Sequence, residues 1–345
     1  MKIFLPFQQD LNPYLDEIER YANLDFVYAS YTAYQNFYPI VNIHWPEALF
    51  DWVEPSSTQL DALEKEIEKW KKYSQIVYTV HDESRHKGMT SNFSRLFKMV
   101  ESNADLFIHL GKHSCEKYLK IYPNAKHRII YHPVYTYNSI EKTLARRKLG
   151  IDNDAIVFIV PGHIRNKEEK RLVLGAFNSF PDENKVLIAT RMRNEMEFDF
   201  KGRIRLKKIF DLQKFILDRF RRKHQPPTYL FDYNRASEER ICLTMSASDI
   251  VIIPRINTLN SGILFLGMAF NKVVVGPGVG NIREHLQTLG YPIFNPASSK
   301  SLLKSLKKAV NLYEDGFKVE PHSKAKYKPE IIAKQFEDTF KELVQ

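Results

Sequence analysis

Strand-sized apolar runs alternate with helix-period segments along this whole chain, and no other feature constrains its fold as tightly. Lys2–Leu5, Phe26–Ala29, Pro39–Ile43, Gln75–Val80, Asp105–His109 and Arg128–Tyr131 read as strands. Between them Asn12–Ala22, Ser57–Tyr73, Asn92–Ser102 and Lys112–Leu119 read as helices. The second of these opens with a capping box, Ser56 and Gln59, and carries Leu60, Leu63, Ile67 and Trp70 as its buried stripe. A second series begins after Gly150, with strands Ile156–Val160, Lys185–Ala189, Thr228–Phe231, Asp249–Ile253 and Lys272–Val275. Its helices are Glu168–Phe180, Leu206–Phe220, Ser237–Ser246, Gly262–Phe270 and Asn281–Leu289, followed by Ser299–Leu312 and Pro329–Leu343. Strands separated by helices of this length require right-handed crossovers in parallel sheets.

The fold class is therefore α/β, with two doubly wound, Rossmann-like domains facing a cleft. A length of 345 residues agrees, at roughly 100–200 residues per domain. The expected boundaries are 1–138 for an N-terminal domain, 139–325 for a C-terminal domain, and 326–345 for a helix packing back on the first. No apolar run approaches the ~18 residues of a membrane span, and the apolar start Met1–Phe7 is too short for a signal peptide. Cys115 and Cys242 have no pairing or metal-ligand spacing, which fits a reducing, cytoplasmic compartment.

Charge is localised. Lys201–His224 holds ten Lys/Arg against Asp211 and Asp218, so this segment carries +8 of the chain's +10. A solvated helix face, a contact with anionic lipid headgroups at the inner face of the cell membrane, and nucleic-acid binding are its three readings. No nucleic-acid-binding motif surrounds it, so no nucleic-acid partner is expected.

In open α/β sheets ligands bind outside the carboxyl ends of the strands. Of eleven histidines, five stand at the end of a predicted strand or one to three residues past it: His44, His81, His109, His132 and His163. Each alone is ordinary in a half-buried loop, but their recurrence at one edge points to a site. There is no His-Glu-x-x-His or His-x-His spacing, so no metal ligands are assigned. Asp152-Asn153-Asp154 precedes a strand and reads as a turn. In the second half, Pro254-Arg255 ends a strand, and Asn260-Ser261-Gly262 opens an apolar helix. Free amides and the helix dipole make such a mouth a phosphate site, with an ordinary serine cap as the alternative. Gly276-Pro-Gly-Val-Gly280 lacks the dinucleotide spacing and is not read as an NAD site.

These motifs resemble those of GT-B glycosyltransferases, and most closely bacterial polysaccharide enzymes described as β-1,4-mannosyltransferase-like. The matching residues are His44-Trp45-Pro46, Thr79-Val80-His81, Gly162-His163-Ile164-Arg165 and Leu259-Asn260-Ser261-Gly262, in the family's order over nearly the whole chain. The resemblance implies transfer of a sugar from a GDP- or UDP-linked donor to a glycan or lipid-linked glycan, in surface polysaccharide synthesis. The nucleotide sugar is then a co-substrate, and neither a cofactor nor a metal is expected. Arg165 is the implied diphosphate clamp, helped by Lys167 or Lys170 and by the mouth Asn260, Ser261 and Gly262. Arg255 and Glu284 are further donor contacts. For the acceptor, Glu47 and Asp82 are the candidate bases, with His44 and His81 orienting them or acting as bases themselves. Two departures stand out. The paired glutamates that many relatives place around the donor helix are Thr258 and Leu266 here, and a Lys-Gly after the arginine turn is Glu168-Glu169. A sugar-nucleotide epimerase-like GT-B enzyme and a catalytically inactive carbohydrate- or membrane-binding module are the alternative functions.

Overall fold

The computed structural model describes residues 1–9, 13–85, 88–193 and 212–345. The first series comprises β1 (Lys2–Leu5), α1 (Pro13–Tyr21), β2 (Asp25–Tyr28), β3 (Ile40–Ile43), α2 (Ser57–Tyr73), β4 (Gln75–Val80), α3 (Ser91–Asn103), β5 (Leu106–His109), α4 (Lys112–Ile121) and β6 (Lys126–Ile129). The second begins with α5 (Lys142–Leu149), β7 (Ile156–His163), α6 (Lys167–Asn178), β8 (Lys185–Arg191), α7 (Leu212–Lys223), β9 (Tyr229–Phe231) and α8 (Glu238–Ala247). It continues through β10 (Ile250–Ile252), α9 (Gly262–Ala269), β11 (Val273–Pro277), α10 (Gly280–Leu289), β12 (Ile293–Phe294), α11 (Ser299–Glu314), α12 (Pro321–Ala325) and α13 (Pro329–Val344).

Two six-stranded sheets result, ordered β2-β1-β3-β4-β5-β6 and β12-β11-β10-β7-β8-β9, and every pairing is parallel. Each sheet changes winding direction once, between β1 and β3 in the first and between β7 and β10 in the second. Crossover helices diverge at such a point and leave a crevice at the strand ends.

Helix α2 forms where its capping box predicts, with Ser56 Oγ accepting from Gln59 N–H and Leu60, Leu63, Ile67 and Trp70 buried. Several elements differ from the sequence reading, among them the unexpected β12 and α12. Strand β7 runs on to His163 through a register shift after Val160, so His163 stands within the strand and pairs with Arg191. Strand β6 starts and ends two residues earlier than expected. Helix α5 lies before Gly150, where the sequence reading assigns no element. Its buried face is Ala145 and Arg146, and Arg146 is held by Asp249 at 2.6 Å and by the carbonyl of Ala247 at 3.0 Å. A helix that buries an arginine shows no apolar period. The basic segment 201–224 and the helix read over 206–220 lie partly outside the described residues.

Apolar side chains of β7, β8, β10 and β11 form the second core with α6, α9, α10 and α11. The first sheet buries one face under α2 and α3 and the other under α1 and α13, where Ile332, Phe336, Phe340 and Leu343 meet Leu15 and Ile18. Asn23 N–H donates to Glu337 Oε1 of α13 at 2.5 Å.

Candidate active site

The carboxyl edges of the two sheets enclose a cavity of about 1020 Å³. From the first domain Asp82, Glu83, Ser84, Arg85 and His113 border it. From the second come His163, Arg165, Asn166, Glu169, Arg191 and Arg193, the loop 256–259, and Val279-Gly280. The cavity therefore opens at the second sheet's switch point, between the end of β7 and the residues after β10.

On the first wall, β3 and β4 carry a buried chain of hydrogen bonds. Thr79 Oγ1 donates to Asn42 Oδ1 at 3.1 Å, so the Asn42 amide nitrogen, 2.9 Å from His44 Nε2, is the donor there. That leaves His44 Nδ1–H to donate to His81 Nε2, 3.0 Å away. Burial pushes His44 down to about 3 and His81 well below its ordinary value, so both rings are neutral. The accepting nitrogens of both histidines are occupied by this chain, which suits an orienting scaffold and leaves neither free to take a substrate proton. Trp45 stacks on His81 with centroids 4.3 Å apart, and Tyr14 packs edge-on against His44, His81 and His132. Glu47 sits in a 3₁₀ turn, Pro46–Phe50, and is 7% exposed. Of the four acid–base candidates, Asp82 borders the cavity, while His44, His81 and Glu47 are buried in the wall.

On the second wall, Gly162 turns with φ 85° and its N–H donates to Thr190 Oγ1 at 2.7 Å. Asn166 caps α6 by accepting from Glu169 N–H at 2.8 Å. Glu169 Oε2 in turn accepts from Arg165 N–H at 2.7 Å and from Arg255 Nη1 at 2.9 Å. Arg255 Nη1 also reaches the carbonyl of His163, 2.9 Å across the switch point, and Arg193 donates to the carbonyl of Arg165. Burial, then the neighbouring Arg165, pulls Arg255 down to about 10. Burial also lowers Arg165, against the opposing pull of Asp82 and Glu169. Glu169 thus ties the arginine turn together, and Glu168, one position away on the helix, is exposed. The two acids do not both face the site. Lys170 points elsewhere, its Nζ 3.4 Å over the Phe220 ring, with burial and Arg193 lowering it to about 8. Lys167 is exposed at the start of α6, and neither lysine borders the cavity.

The mouth of α9 differs most from expectation. Asn260 Nδ2 donates across the domains to the carbonyl of His81 at 2.7 Å, and Asn260 Oδ1 accepts from Asn281 Nδ2 at 2.9 Å. Asn281 also holds α4, through Ser114 N–H to Oδ1 at 3.0 Å. Ser261 makes no side-chain cap, and a Cβ on Gly262 would lie 2.4 Å from the Tyr135 hydroxyl. Glu284 Oε1 accepts from Lys112 N–H at 2.8 Å, at the start of α4. The side chains of Asn260 and Glu284 serve the domain interface in this structure. The helix mouth on the cavity belongs to α10, whose first turn, at Val279-Gly280, has no side-chain cap. Gly280 has φ 51°, and a Cβ there would lie 2.6 Å from the carbonyl oxygen of Leu259. Its place in Gly276-Pro-Gly-Val-Gly280 was the available signal. Arg191, the last residue of β8, and Arg193, just past it, carried no motif and were missed.

Among the described residues one group of three could offer ligands to a metal, His109, Cys115 and His127, and it does not border the cavity. Asp152 Oδ1 accepts from Asp154 N–H at 3.2 Å, the turn expected there. No helix among the described residues is long and apolar enough to cross a membrane.

No protein-family model matches the chain, and no curated protein sequence does. Solved structures do. HepE from Anabaena, in complex with UDP-glucose, aligns over 99% of this chain and 100% of its own, with a TM-score of 0.69 and 14% identity. A glycosyltransferase from Rickettsia africae aligns over 100% and 98%, with a TM-score of 0.65 and 11% identity. Sucrose-phosphate synthase from Thermosynechococcus elongatus aligns over 89% of this chain and 74% of its own, at 0.64 and 13%. At such identities the likeness is one of fold, and the fold is GT-B.

Proposed function

We propose that this chain is a glycosyltransferase that moves a hexosyl group from a nucleotide diphosphate sugar to a hydroxyl of a glycan or lipid-linked glycan, in polysaccharide synthesis. One observation carries the reading: Arg165, Arg191 and Arg193 converge with a helix mouth that has no side-chain cap on a cavity whose opposite wall presents Asp82. The UDP-glucose bound by HepE supports the same ligand class.

The chemistry has two parts. The acceptor oxygen attacks the anomeric carbon while the bond from that carbon to the diphosphate oxygen breaks. Arg165 and the first turn of α10 take up the charge developing on the departing diphosphate, since guanidinium groups and helix amides bind phosphate oxygens directly. Asp82 accepts the acceptor's proton as the new bond forms. In this reading arginines supply the positive charge and no metal is required. The mannosyl specificity suggested by the four motifs belongs to the proposal as well. So does peripheral contact with anionic membrane, supported by the exposure of Arg219, Arg222 and Lys223 on α7.

Calorimetry with UDP, GDP and ADP and their sugars tests the reading. Arg165→Ala is expected to weaken binding of the preferred nucleotide by about tenfold or more, the worth of a charge-assisted hydrogen bond. Asp82→Asn is expected to preserve binding and depress turnover by about 100-fold or more. Absence of binding by the wild-type chain across the panel would sink the enzyme reading.

A further inference from the structure

The 3₁₀ turn Pro46–Phe50 ends in a costly backbone. Asp51 and Trp52 have φ of 52° and 65°. Aspartate visits this left-handed region at low cost, but a bulky tryptophan there is an outlier. Trp52 N–H donates to the Glu47 carbonyl and Val53 N–H to the Phe50 carbonyl, both at 2.9 Å, which fixes the conformation. The result is an indole 52% exposed beside a valine 66% exposed. A strained backbone that displays an apolar ring to water loses stability twice, and strain of this kind marks functional positions.

The ring's position indicates what it is for. Trp52 leans over Trp45, with centroids 6.3 Å apart and planes at 43°. Trp45 lies flat on His81, at 4.3 Å and 23°, and the next residue, Asp82, borders the cavity. Rings therefore run in contact from open solvent to the residue beside the first-domain wall. The cavity's arginines belong mainly to the opposite domain, so a charged phosphate group has its partners there and not at Trp52.

We propose that Trp52 is a stacking platform for a pyranose ring of the acceptor, at a sugar unit away from the reacting hydroxyl. This rests on the glycosyltransferase reading and adds to it that the acceptor is an extended glycan. One face of a pyranose is a patch of C–H groups, apolar and weakly positive. An indole face offers matching area and negative potential at small conformational cost.

The test places the full-length wild-type chain and its variants on an array of immobilised oligosaccharides, with UDP and GDP binding measured in parallel by calorimetry. Wild type is expected to be retained on glycans sharing a pyranose unit. Trp52→Ala is expected to lose about tenfold or more in retention, Trp52→Tyr to recover part of it, and nucleotide binding to stay unchanged in both. Trp52→Gly relaxes the left-handed backbone, so it is expected to melt at a higher temperature than wild type while losing glycan retention. A ring that served only packing would lower the melting temperature instead, and that result overturns the proposal. Wild-type retention in Trp52→Ala overturns it too. A wild-type chain that binds nucleotide but no glycan removes the platform alone, whereas one that binds neither removes the glycosyltransferase reading with it.

Discussion

Glu169 shows how much one side chain decides. In the sequence it is one of two acids where a lysine was expected, beside a site for an anion. In the structure it is 2% exposed and holds Arg165 N–H and the Arg255 guanidinium on a single oxygen. Neighbouring helix positions point about 100° apart, so Glu168 and Glu169 never share an environment. Glu169→Ala would leave Arg255 charged, buried and unpaired, and is expected to cost about 3–5 kcal/mol in urea unfolding. Glu169→Gln keeps an acceptor for Arg165 N–H and should cost less. Equal losses in the two variants would show that the hydrogen bond to the turn contributes nothing beyond the ion pair. The family resemblance marked Arg165 as the turn's candidate diphosphate clamp, but nothing in the sequence showed that Arg255, beyond β10, packs against the same turn.

Among the elements, the strand ends of the first domain and helix α10 of the second carry neutral histidines packed on aromatic rings. Burial lowers His44, His109 and His132 to about 3 and His285 to about 4. Their unfolded value is near 6.5, so between that pH and the folded values the unfolded chain binds more protons. Stability is therefore fully present above about pH 6.5 and falls as the pH drops toward 4. Each such histidine withdraws up to about 2 kcal/mol by pH 5. Thermal melts from pH 7.5 to 4.5 should show this decline, and His132→Phe should flatten it, because Phe keeps the stack on Phe265. A melting temperature that does not vary over that range would contradict it. Elements with an apolar period and a cap were legible in the sequence, α2 above all. Helix α5 was not, because it is anchored by the Arg146–Asp249 pair, and polar burial leaves no hydrophobic rhythm. His44, His81, His109 and His132 were legible as a set at the first sheet's edge, since strand ends can be read locally, whereas His163 stands within β7 of the second sheet.

For the molecule as a whole, the domain interface was the part sequence could not reveal. Asn260 was expected as a ligand contact from its place at a helix mouth and Glu284 from the family resemblance, but which neighbour a side chain meets depends on how two domains approach. Asn281 joins Asn260 to Ser114, and Gly111 lies so close that a Cβ would be 2.5 Å from the Asn281 side chain. Asn281→Ala removes three hydrogen bonds between or beside the domains, at about 1 kcal/mol each. It is expected to raise the radius of gyration measured by small-angle scattering, and an unchanged profile would show that other contacts set the closure. Helix α13 has a different consequence. It supplies Ile332, Phe336, Phe340 and Leu343 to the first domain's core, and Glu337 bonds a residue 314 positions earlier. On the ribosome the first sheet emerges long before these side chains exist, with the face that α13 shares with α1 only partly covered. Its completion must wait for translation of α13, so the first domain is finished only after the second has been made.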